Sequence, residues 1–138
     1  MIEKRILIIE DILQLKFMED LFRRSLNGEK YELRTLPDLS DEGFYRGDLP
    51  EDYDVYWLHS SAVEFGVIEQ VRRNQPWSKV VVRSGVAESI YAYNLLMRNV
   101  ADVVISHNEG LNEGKIIQIL NGLGIEILLP EKECSKKW

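Results

Sequence analysis

A chain of 138 residues, 45% hydrophobic and 29% charged, has the size of one domain and enough apolar side chains to bury a core, which excludes a disordered polypeptide. Its net charge of −6 repels phosphate backbones and argues against nucleic acid as a partner. No apolar run approaches the roughly 20 residues that span a bilayer. The single Cys134 has no second cysteine for an internal disulfide, so no membrane association and a cytoplasmic location are expected.

Ile6, Leu7, Ile8 and Ile9 form an unbroken β-prone run that stops at Glu10 and Asp11. Apolar residues without alternation are what a strand covered on both faces requires. Leu13, Phe17, Leu21 and Phe22 then recur at helical spacing, with Lys16, Glu19, Asp20, Arg23 and Arg24 opposite them. This predicts an amphipathic helix with Leu13 and Phe17 on its buried face, ended by Asn27 and Gly28. Residues 31–36 read as a second strand. Residues 37–54 are polar and broken by glycine and proline, with a short helix expected near 41–45. Residues 54–58 make a third apolar strand ending at His59, and residues 63–73 a helix stopped by Asn74, Gln75 and Pro76. Residues 79–83 form a fourth strand ending at Ser84 and Gly85, and residues 87–98 a helix. Residues 103–105 form a fifth strand ending at Ser106 and His107, and residues 111–123 the last helix. The domain is expected to cover residues 1–124, with 125–138 as a C-terminal tail. Residues 125–129 read equally as a helix continuation, a sixth strand or a docked segment.

Strands alternating with helices require parallel βαβ units with right-handed crossovers. The expected fold class is therefore α/β: a doubly wound five-stranded parallel sheet in a three-layer α/β/α sandwich. In such sheets ligands and chemistry gather beyond the C-terminal strand ends. That directs attention to Glu10, Asp11, His59, Ser60, Ser84, Gly85, Ser106 and His107.

The order and spacing of these segments resemble a response-regulator receiver domain of the flavodoxin-like class. The resemblance is carried by Ile-Leu-Ile-Ile-Glu-Asp at 6–11, the third strand at 54–58, Val80-Val81-Val82 before Ser84-Gly85, and Ala101 to Ser106, and covers about residues 4–123. It implies a (βα)5 scaffold in which an acidic pair binds Mg²⁺, an aspartate ending the third strand accepts a phosphoryl group, and a lysine ending the fifth contacts it. Here Glu10 and Asp11 keep the acidic pair. His59 stands at the phosphoacceptor position and His107 at that of the lysine. Imidazole cannot form an aspartyl phosphate, and Mg²⁺ prefers hard oxygen ligands. The resemblance therefore implies a pseudo-receiver, with His59, Ser84 and His107 marking a degenerate phosphorylation site.

Several readings of these residues stand open. Glu10 and Asp11 are either a residual cation site or two acids at a solvated strand end that cap the following helix. His59 and His107 either hydrogen-bond to acids, join Glu10 and Asp11 in a site for Mg²⁺, Zn²⁺ or another divalent metal, or sense pH near neutrality, and a fourth reading, which no sequence feature directly supports, has His59 itself phosphorylated. Ser84 is either a remnant of the receiver switch or a hydroxyl satisfied by a strand end. No serine lies in a nucleophile elbow, so a hydrolase is not expected. Tyr91, Tyr93 and Met97 enrich the helix over 87–98, and receivers use the face between the fourth and fifth helices for dimer and partner contacts. The leading expectation is a phosphorylation-independent signalling domain, without cofactor or enzymatic activity, that binds a protein partner in a regulatory pathway or homodimerises through that face. The rival is a metal-binding, conceivably catalytic, site built from Glu10, Asp11, His59 and His107.

Overall fold

The apolar runs become the interior of a parallel sheet. A computed structural model describes residues 4–10, 12–26, 31–37, 52–59, 65–84, 94, 97, 98, 100–106 and 110–125. Its elements are β1 (Lys4–Glu10), α1 (Ile12–Ser25), β2 (Tyr31–Pro37), β3 (Val55–His59), α2 (Phe65–Asn74), β4 (Lys79–Ser84), β5 (Val103–Ser106) and α3 (Glu113–Gly122). All ladders are parallel, and the strand order is β2-β1-β3-β4-β5. The order reverses between β1 and β3, the place where a crevice opens beyond the carboxyl ends of the strands.

Each face of the sheet carries its own core. On one face Ile6, Ile8, Val55, Trp57, Val81 and Ile105 meet Met18, Leu21 and Phe22 of α1 and Ile116 and Leu120 of α3. On the other, Leu7, Ile9, Tyr56, Leu58, Val80 and Val82 meet Val67, Ile68 and Val71 of α2. This is the expected three-layer α/β/α arrangement.

The helix α1 corrects the reading of its buried face. Leu13 is 87% exposed and Phe17 51% exposed, whereas Met18, Leu21, Phe22 and Ser25 are buried. Residues 12–22 carry two overlapping apolar stripes, and the one through Leu15, Met18, Leu21 and Phe22 faces the sheet. Ser25 completes it by donating its hydroxyl to the Leu21 carbonyl at 2.7 Å, which removes the cost of burying it. Phe17 instead lines a surface pocket with Leu21 and Leu111, beside the Arg24–Glu113 ion pair that joins α1 to α3.

Helix α3 begins two residues later than expected, because the Asn112 side chain accepts a hydrogen bond from Lys115 N at 2.9 Å and caps it. At the other end Gly124 adopts φ 84°, and Ile125 N donates to Leu120 O at 2.9 Å. This Schellman turn returns Ile125, placed at the start of the tail in the sequence reading, to the core beside α3. In the helix expected over 87–98 only Asn94, Met97 and Arg98 are described. Arg98 N donates to Asn94 O, one helical turn, and Met97 is 63% exposed. Tyr91, Tyr93, the segment 41–45 and the tail 126–138 lie outside the described residues.

Opposite the site end of the sheet, Gln75 anchors the turn into β3. Its buried side-chain carbonyl accepts from Asp52 N and from the Tyr56 hydroxyl, each at 2.9 Å. Burial pushes the Tyr56 phenol above its ordinary value near 10. The folded state therefore holds this proton more tightly than the unfolded chain does. The resulting stability is complete below the ordinary tyrosine value and is lost as pH rises through the folded one. Denaturant melts in the alkaline range should show that decline, and Tyr56→Phe should remove this share of it.

Candidate functional site

The ladder register assembles one row of side chains across the carboxyl end of the sheet. Ile9 pairs with Leu58, so Glu10 is level with His59, and His59 pairs with Arg83. Partners in a parallel ladder point to the same face, and alternation places Glu10, His59 and Arg83 on the face that carries Ile8, Trp57 and Val81 one layer below. All three are buried: Glu10 is 0% exposed, His59 2% and Arg83 6%.

Glu10 and Arg83 form a bidentate pair. Arg83 Nε donates to Glu10 Oε2 and Nη2 to Oε1, both at 2.9 Å. Because β3 lies between β1 and β4, the guanidinium spans two inter-strand spacings, about 10 Å, to reach its partner. The long arginine side chain makes that reach, and its planar fork matches the carboxylate. Glu10 is thus buried and paired with a cation instead of solvated, which corrects that part of the reading.

Arg83 was missed among the strand-end residues. Its signal is local: a charged residue at the end of Val80-Val81-Val82, in phase with buried Val81 on a strand covered on both faces, requires a buried counter-charge. The sequence does not say which acid supplies it, because the partner is 73 residues away.

The described residues do not fit the Mg²⁺ site that the receiver resemblance implies. Both Glu10 oxygens accept hydrogen bonds from a permanently charged guanidinium, and β3 ends in an imidazole instead of a carboxylate. Among the described residues no group of three or more His, Cys, Asp or Glu is placed to hold a metal ion. Asp11, Ser60, Gly85 and His107 lie outside the described residues. Ser84 and Ser106 are paired in the β4–β5 ladder at the same end of the sheet.

No family model matches the sequence. No curated protein matches it significantly. Solved structures do match. A response regulator receiver domain protein from Methanospirillum hungatei superposes with a TM-score of 0.63 at 18% identity, over 89% of this chain and 95% of that one. The fold is that of a response-regulator receiver domain. The HemR receiver domain from Leptospira biflexa gives a TM-score of 0.64 at 17% identity, over 93% of this chain and 98% of its own. The response regulator TrrA from Thermotoga maritima, in complex with Mg²⁺ and a beryllium fluoride, gives 0.58 at 19% identity, over 87% and 98%. The ladder register sets Glu10 and His59 side by side at the carboxyl edge of the sheet, and the Arg83 side chain reaches from β4 across β3 to Glu10.

Proposed function

We propose that this chain is a receiver-like signalling domain that works without phosphotransfer, through contact with a protein partner in a regulatory pathway. The observation that carries the reading is the buried Arg83–Glu10 pair, which engages the first member of the acidic pair with an internal cation. His59 at the end of β3 supports it, since an imidazole there offers no carboxylate for an acyl phosphate. On this reading the partner and dimer contacts use the face that includes Tyr91, Tyr93 and Met97. The 63% exposure of Met97 suits an apolar contact there. No helix among the described residues is long and apolar enough to cross a membrane.

The test is incubation of the purified protein with radiolabelled acetyl phosphate and Mg²⁺. No stable label is expected on the wild-type chain. Label that requires Mg²⁺ and disappears in Asp11→Asn would overturn the proposal.

A further inference from the structure

Buried at the end of β1, Glu10 needs a counter-charge, and the guanidinium of Arg83 supplies it from a covalently tethered side chain where a metal ion could have done so from solution. We infer that Arg83 is a resident substitute for a divalent cation, which neutralises Glu10 from within the fold and leaves this corner unresponsive to Mg²⁺ or Mn²⁺. Arginine holds its charge at every physiological pH, so the neutralisation does not switch off. A bound metal is in exchange with solvent and can be diluted or chelated, whereas a side chain from the neighbouring core strand is present at a fixed effective concentration. The pair is nearly sealed from solvent on both sides, so a second cation entering there would meet a desolvated positive charge as well as the acid it seeks. The end of β1 is thereby tied to the end of β4 across β3 in the same way whatever the ionic medium. This inference goes beyond the phosphotransfer reading and does not rest on it. Label incorporation tests that reading and cation response tests this one: a cation response without label overturns this inference alone, whereas Mg²⁺-dependent label overturns both.

The experiment is thermal unfolding of the wild-type chain and of Arg83→Met, each with and without millimolar Mg²⁺ or Mn²⁺, since a ligand that binds only the folded state must raise the midpoint. The wild-type midpoint should not move. Arg83→Met should melt lower without metal and rise by several degrees with Mn²⁺, and a further Glu10→Gln change should abolish that rise. Arg83→Gln, which removes the charge but keeps an amide donor, is a second variant should Arg83→Met fail to fold, and it should also gain a cation response. A midpoint shift in the wild type overturns the inference, as does a folded charge-removed variant that ignores both cations. If neither variant folds, calorimetric titration of the wild-type chain with Mn²⁺ decides, and measurable binding overturns the inference.

Discussion

Arg83→Met should lower the free energy of unfolding by about 3–5 kcal/mol, the cost typical of removing one partner from a buried ion pair. The loss comes less from the missing bond than from the stranded acid, because Glu10 is fully buried and has no solvent to replace two charge-assisted hydrogen bonds. Urea melts should show the midpoint falling with the slope unchanged, since neither end state alters its exposed surface much. Changing both partners together, Glu10→Met with Arg83→Met, should recover most of the loss, because apolar replacement of a buried pair is often neutral or better. The double-mutant cycle then measures a strong coupling between two residues 73 positions apart. Equal costs for the double and for the sum of the singles would show that the pair does not act as a unit.

Trp57→Ala should cost a similar about 3–5 kcal/mol, by leaving a cavity in the layer beneath the site. The ring is fully buried and stands edge-on to Phe22 of α1, with centroids 5.0 Å apart and planes at 83°. It thus couples the central strand β3 to the helix over it. The indole Nε1 finds no hydrogen-bond partner among the described residues. Trp57→Phe should therefore be much milder, because the smaller ring retains the stacking position and removes an unpartnered donor. Equilibrium unfolding of the two variants side by side separates lost volume from lost polarity. A Phe substitution as costly as Ala would mean that the Nε1 donor is satisfied after all.

The strands were legible because burial on both faces leaves a plain trace. Ile6 to Ile9 and Val80 to Val82 have no polar residue to spare, and runs of that kind have few other places in a globular domain. From the strand–helix alternation the parallel topology followed, and from it the end of the sheet at which Glu10 and His59 meet. The face of α1 was less legible, since Leu13 and Phe17 compete with Leu15 and Met18 at helical spacing, and only packing against Trp57 and Ile116 selects between them. Residue Ser25 also looked polar, and its bond to the backbone of Leu21 is what makes it a buried residue. Arg83 was illegible as part of the site for a different reason. A sequence shows that a buried charge needs a partner but not which distant residue the ladder register brings level with it.

The Arg5 peptide carries a consequence for how the chain assembles. Its amide donates to the Asp54 carboxylate, its carbonyl accepts from Asp54 N, and its side chain donates to Glu32. One residue thus joins segments 27 and 49 positions downstream, because β1 is the first strand made yet lies inside the sheet. A nascent chain that has completed only β1, α1 and β2 holds a two-stranded ladder with one flank of β1 bare, too little to stand alone. The domain can close only when β3 arrives and slides into the vacant flank. Synthesis must therefore pass residue 59 before both flanks of β1 are paired, and until then that strand is the natural target for a holding chaperone.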